Sequence, residues 1–326
     1  MSAPLILDTH VDIRWPSPPD WTLNGTMCVD LPKMSAGGVS GTVFIAYVPQ
    51  GPRDGVGLAA AATRALAMLE HIRNRADARA SRFCATPDEL EWPGPPAVLS
   101  AVENGHAMGH DLGNIARWRA LGACYLTVTH DGHNLLSDSA RPRRNLGDAD
   151  ALHGGLSALG RAAVAEMNRV GLMIDCSHVS KAGMMQAAQL SRAPVAVTHT
   201  ACAALCPHPR NLDDEQLDMV RAVGGIAQVT AVAAFLRPTP PNTPSQATVA
   251  DLVDHVDHAV RRIGLDHVGI SSDFDGGGGV QGWMNAAETP NVTAELARRG
   301  YGPREIALLW SGNFLRVWRA VLRGAG

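Results

Sequence analysis

Short aliphatic runs recur along this chain, and each gives way to a residue type able to carry chemistry. Residues 5–12 read Leu-Ile-Leu-Asp-Thr-His-Val-Asp. Three aliphatic residues in a row suit a strand buried on both faces. The run then delivers His10 and Asp12, two positions apart and so on one strand face. Further strand runs are predicted at 37–48, 97–102, 123–129, 172–175, 194–198, 225–232 and 268–272. Between them, Ala-, Leu-, Arg- and Glu-rich stretches predict helices at about 57–80, 111–121, 156–170, 181–190, 213–223, 248–263 and 303–322. Residues 131–155 and 238–244 are polar or Pro-rich and read as loops.

Eight strands mostly separated by helices imply a parallel sheet, and eight units imply a closed (β/α)8 TIM barrel. The expectation is one domain spanning 1–326. An open doubly wound sheet is the rival. Its usual nucleotide chemistry lacks support, because no Gly-x-Gly-x-x-Gly follows the first strand and there is no Walker loop.

Composition adds exclusions. Hydrophobic residues make up 46% and charged residues 18%, enough apolar material for a large core. A net charge of −3 without a basic run argues against a nucleic-acid partner. The start, Met-Ser-Ala-Pro, lacks the basic opening of a signal peptide, and no apolar run reaches membrane-spanning length. The expected setting is soluble and cytoplasmic, with no membrane partner and with a homodimer as a candidate assembly. Six scattered cysteines form no Cys-x-x-Cys and read as buried thiols. Cys202 and Cys206 are spaced closely enough to consider for a metal but have no second pair nearby.

Position singles out the candidate site. His10 and Asp12 end the first strand, Glu103 follows the third and His130 the fourth. His178 follows the fifth, His199 the sixth and Asp273 the eighth. In a barrel these ends converge on the C-terminal rim, where active sites lie. His106, His110, His255 and His258 fit surface or helix-face roles better. His133, His153 and His208 lie in rim loops and could line a pocket. Three histidines and two carboxylates exceed what one tetrahedral catalytic zinc needs, so two divalent ions are expected. If Glu103 bridges, one ion takes His10, Asp12 and Glu103, and the other takes Glu103, His178 and His199. Imidazole and carboxylate ligands without thiolate suit Zn²⁺, with manganese or cobalt as substitutes.

These residues resemble the membrane dipeptidase (renal dipeptidase) family of metallo-dependent hydrolases. The matching pieces are Asp8-Thr9-His10-Val11-Asp12, Val102-Glu103-Asn104-Gly105-His106, Leu126 through His130, and Ile174 through Ser180. Ser191 through His199, Pro209-Arg210-Asn211 and Ser272 through Gly276 complete a match covering nearly the whole chain in order. The resemblance implies two zinc ions on His10, Asp12, Glu103, His178 and His199, with Glu103 bridging. It implies that His130 holds the scissile carbonyl oxygen, Arg210 grips the substrate's terminal carboxylate and Asp273 handles protons. A hydroxide between the metals would then cleave dipeptides, L-D dipeptides among the candidates. The family's usual Glu-Gly-Gly is Glu103-Asn104-Gly105 here, and the seventh strand lacks the Asn-Phe of animal members. Two rivals stay open: an N-acyl-amino-acid deacylase or lactonase on the same barrel, and a non-catalytic binding protein. The second should have lost a ligand or acid, and none is lost.

Overall fold

Among the described residues the aliphatic runs form nine strands: β1 (Leu7–Asp12), β2 (Gly41–Tyr47), β3 (Arg82–Phe83), β4 (Ala97–Glu103), β5 (Ala123–Thr127), β6 (Met173–Asp175), β7 (Ala196–Thr200), β8 (Ile226–Thr230) and β9 (Val268–Ser271). The computed structural model describes residues 4–76, 80–240, 243 and 245–326. All named pairings are parallel, in the order β1-β2-β4-β5-β6-β7-β8-β9, with β3 a two-residue addition beside β4. Helices cover the outside, and almost every strand residue is buried. This is the eight-stranded barrel that the alternating pattern predicts.

The barrel closes between its first and last strands. The Asp12 N–H donates to the Phe274 carbonyl at 2.9 Å, and the Asp273 N–H to the His10 carbonyl at 3.1 Å. Further down the seam the ladder is replaced by a side chain: the buried Asp8 carboxylate accepts from the Ser272 N–H at 3.1 Å. A second seam, between β6 and β7, has one paired position, Asp175 with Ala196. Here the Asp175 carboxylate takes over. It accepts from the Ser177 N–H (3.1 Å) and hydroxyl (2.8 Å), the Thr198 N–H (2.9 Å) and hydroxyl (2.8 Å), and the Thr127 hydroxyl (2.6 Å). One carboxylate thus ties β5, β6 and β7 together.

The opposite end is apolar. Leu7, Ala97, Ala196 and Ile226, from the lower ends of their strands, pack in one cluster with Phe314, Val317 and Trp318 of the C-terminal helix Asn313–Arg323. The chemistry is therefore confined to the other rim.

Element boundaries depart from the sequence reading in places. The helix expected at 57–80 is Gly55–Arg75, started by the Asp54 side chain accepting from the Gly57 N–H; its predicted end, 77–79, lies outside the described residues. The 303–322 helix is broken by a π-turn at Leu308–Gly312. Helices at Leu31–Gly37 and Thr289–Arg298 were not expected. The first is only seven residues long, too short for a periodic signal, and is set by its Asp30 cap. Part of the 238–244 loop also lies outside the described residues. All six cysteines are free, and five of them are buried. Among the described residues no helix is long and apolar enough to cross a membrane.

Asp175→Asn removes the charge and one of two acceptor oxygens from this junction, leaving buried donors unmatched. A loss of about 3 kcal/mol in unfolding free energy is expected by urea denaturation. A change below about 0.5 kcal/mol would show that the carboxylate is not what holds the β6/β7 seam.

Candidate metal centre

Glu103 ends β4 and points its carboxylate into the rim, where three imidazoles meet it. The His178 Nε2 and His199 Nε2 each lie 3.3 Å from Glu103 Oε1, and His10 Nε2 lies 3.7 Å away. The other nitrogen of each ring is held. His10 Nδ1 lies 2.9 Å from the Tyr125 hydroxyl, whose proton goes to the Thr9 carbonyl. His199 Nδ1 lies 3.0 Å from the Thr198 hydroxyl, whose proton goes to Asp175. His178 Nδ1 lies 3.1 Å from a carboxylate oxygen of Asp131, which also pairs with Arg141 at 3.0 Å. Each partner can only accept, so each Nδ1 is the protonated nitrogen. Every Nε2 then turns a lone pair toward Glu103, an arrangement typical of metal-ligating histidine.

Charge adds to the argument. Burial, with Arg210 and neighbouring imidazoles, holds His10, His178 and His199 well below the usual histidine range, so they are neutral. Burial and then Asp273 push Asp12 well above the usual carboxylate range; burial, then Asp12 and Asp273, do the same to Glu103. Lone pairs and carboxylates facing one another at this spacing form a donor set for a divalent cation. The residues present therefore fit the expected metal.

Among the described residues, ligating atoms lie within 4.8 Å of one another in three groups: His10, Glu103 and His199; Glu103, His130 and His178; and His10, Asp12 and Asp273. Glu103 belongs to two of the groups. The partition differs from the strand-order expectation. Glu103 sits among the histidines, while Asp12 lies at the β1/β9 seam beside Asp273.

Backbone conformation places several of these groups. His178 (φ 64°), Asp273 (φ 58°) and Asn104 (φ 83°) all have left-handed backbones, uncommon outside glycine. Asn104 is a position where glycine and asparagine are the natural choices, which accounts for the Asn in place of the family's Gly. Its Oδ1 accepts from the His106 N–H at 3.1 Å and its Nδ2 donates to the Val48 carbonyl at 3.0 Å, fixing the turn behind Glu103. Gly276 is required for room. A Cβ there would lie 2.0 Å from Asp12 Oδ2 and 2.5 Å from Asp273 Oδ1.

A cavity of about 690 Å³ opens over the centre, lined by Glu103, His130, His178, Arg210 and Asp273 among others. The His130 ring lies 4.0 Å from that of His178 and 4.8 Å from Tyr47, and burial pushes its pKa down to about 3, so it is neutral. Arg210 is buried. Its Nη2 donates to the His199 carbonyl at 3.2 Å, its guanidinium lies 5.2 Å over the Phe235 ring, and its Nε has no partner among the described residues. No carboxylate pairs with it within 4 Å among those residues, and burial lowers its pKa to about 10. Asp273 is pushed up to about 7, chiefly by burial.

All eight predicted site residues thus meet at one rim: seven line the cavity, and His10 lies beneath it against Glu103. His208 also lines it, whereas His133 and His255 are buried structural residues, accepting at Nδ1 from the Ser139 and Cys202 N–H groups. Sequence reasoning missed Tyr125, Thr198 and Asp131, the partners that set the imidazole protons. Tyr125 sits mid-strand, and only its inward parity on β5 could have signalled it.

Tyr125→Phe keeps the ring but removes the acceptor for His10 Nδ1. Metal affinity, measured by competition with a chelator, should fall about 10–100-fold. Unchanged affinity would mean that the hydroxyl does not orient His10.

Comparison with known proteins agrees with this geometry. A family model for membrane dipeptidase (peptidase family M19) matches residues 1–325. The dipeptidase verJ of Clonostachys rogersoniana is 35% identical over 305 residues, 90% of this chain and 75% of that protein. Two other fungal dipeptidases are matched over only about half their own length, 52% and 51%. Among solved structures, the probable dipeptidase PvdM from Pseudomonas aeruginosa superposes with a TM-score of 0.91 at 29% identity, covering 99% of this chain and 96% of that one. A metallo peptidase from Rhodobacter sphaeroides, liganded with a phosphinate mimic of the dipeptide L-Ala-D-Ala, gives 0.85 at 28%, covering 98% and 100%. The barrel, the converging imidazoles and the match along 1–325 lead to one conclusion: the chain belongs to the membrane dipeptidase family, peptidase family M19.

Proposed function

We propose that this protein is a metal-dependent dipeptidase that hydrolyses the peptide bond of dipeptides, with two zinc ions as its resident metals. The observation that carries the reading is the convergence of three neutral imidazoles on Glu103 beneath a cavity that also holds a buried, carboxylate-free guanidinium. His10, Asp12, Glu103, His178 and His199 would hold the metals, with Glu103 shared. Bound metal supplies Lewis acidity and a water of lowered pKa.

The chain's own groups do the rest. Arg210 presents N–H donors to the substrate's terminal carboxylate, and that contact limits the substrate to a short peptide. His130, neutral and unable to accept a second proton near pH 7, donates an N–H to the scissile carbonyl oxygen as charge develops there. Asp273 takes a proton from the attacking water and returns it to the leaving amine. The rival deacylase reading shares the same carboxylate clamp, so activity on N-acyl-amino acids without activity on dipeptides would favour it.

Asp273 also stands within ligating distance of His10 and Asp12, so its test separates two roles. Asp273→Asn should lower kcat about 10²–10⁴-fold with metal content unchanged. Loss of a metal ion would instead make it a ligand, and near-normal kcat would remove it from the mechanism.

For Arg210 the decisive comparison is a dipeptide against its C-terminal amide. The free dipeptide should be favoured about 10–150-fold in kcat/KM, and Arg210→Ala should abolish most of that preference. If the preference survives in Arg210→Ala, the clamp lies elsewhere.

A further inference from the structure

The cavity lining includes five carboxylates and four arginines. Two of the arginines have evident work: Arg210 as the proposed clamp, and Arg141 paired with Asp131. The other two do not. Arg14 follows β1 and has no hydrogen-bond or ion-pair partner among the described residues. Arg64, on the helix Gly55–Arg75, donates from Nε to the Tyr47 carbonyl at 2.9 Å, and no carboxylate among the described residues pairs with it within 4 Å. It is partly buried, and burial holds its guanidinium below the usual arginine value.

Their location gives these cations a direction. Tyr47 ends β2, and β2 stands four strands from β7 whichever way the barrel is counted. Arg210 lies in the loop after β7. The Arg64 wall therefore faces the Arg210 wall across the mouth, with Glu103 and its imidazoles between them. A dipeptide whose carboxylate is held by Arg210 and whose scissile bond lies over Glu103 must extend its amino-terminal residue toward β1 and β2. Two divalent ions would outweigh the surplus carboxylate and leave the cavity cationic. Asp275, after β9 and so beside the end of β1, also lines the cavity and would offer a carboxylate to the substrate's own ammonium, leaving the arginines to a side chain.

Resting on the dipeptidase reading, we propose that Arg14 and Arg64 form a subsite for an acidic side chain on the amino-terminal residue, so that Glu- and Asp-initiated dipeptides are the preferred substrate class. A guanidinium–carboxylate contact at a partly exposed site strengthens recognition without setting the reaction's chemistry.

The test compares L-Glu-L-Ala with the isosteric L-Gln-L-Ala, with L-Ala-L-Ala and L-Ala-L-Glu as references, on the metal-loaded protein. Glu-Ala should exceed Gln-Ala about tenfold in kcat/KM, and Ala-Glu should gain nothing over Ala-Ala. Arg64→Gln and Arg14→Gln should each shrink the Glu/Gln ratio, and the double variant should bring it near one. Arg64→Lys, which keeps the charge, should retain part of it and guards against a folding defect in Arg64→Gln. A wild-type ratio near one, or an equal gain for Ala-Glu, overturns the subsite while hydrolysis of Ala-Ala leaves the dipeptidase reading standing. If no dipeptide is cleaved, that reading fails. Calorimetric titration of Glu-Ala against Gln-Ala on the same protein then decides the subsite: tighter Glu-Ala binding supports it, and equal binding overturns it.

Discussion

Mutual repulsion of lone pairs is the constraint that orders this structure. Three imidazole nitrogens on buried side chains each stand 3.3–3.7 Å from one carboxylate oxygen of Glu103. No protein would hold that arrangement by packing alone. It persists because each ring is fixed from behind by an acceptor, and because the donors come from strands already locked in a barrel. Asp175 shows how closely the two tasks are joined. The carboxylate that substitutes for the missing β6/β7 ladder also receives the Thr198 proton, and so sets the protonation of His199. Stability and function share the same oxygen atoms there.

Four left-handed residues surround this centre, Asp275 among them, and their cost is on the order of 1 kcal/mol each. Each sits where an ordinary strand ending would aim a side chain elsewhere. His178 turns its imidazole back toward Glu103, Asp273 turns its carboxylate toward Asp12, and Asn104 bends the chain away behind Glu103. The glycine at position 276 leaves the space in which the two aspartates stand side by side. Local strain is tolerated because hydrogen bonds from neighbouring loops leave these segments no alternative.

Much of this is legible in the sequence alone. Aliphatic runs ending in His or Asp placed the strands, and parity put His10 and Asp12 on one face. The closed barrel then brought distant strand ends to one rim. Arg210 was different: nothing in its spacing distinguished it, and only the family resemblance raised it. The supporting shell was less visible. Tyr125 and Thr198 are ordinary strand residues whose importance depends on which ring lies across the barrel. The grouping of Asp12 with Asp273 followed from the seam, whose side-chain closure by Asp8 has no sequence signature. Short helices such as Leu31–Gly37 rest on a single cap rather than on periodicity. The π-turn at Leu308–Gly312 is equally local and leaves the apolar pattern on both sides intact.

That seam has a kinetic consequence. Asp8 and Ser272 meet although they are 264 residues apart in the chain, and the strands that carry them also carry Asp12 and Asp273. A nascent chain can assemble β1 through β8 and still lack Asp273 and the seam that sets Asp12 beside it. Closing so long a loop is entropically late. Before β9 docks, the imidazoles could catch a metal ion only loosely and in incomplete company. Maturation would then have a fixed order, in which the last strand arrives first and full metal loading follows. A folding intermediate trapped open at this seam would behave as a weak, exchangeable metal binder.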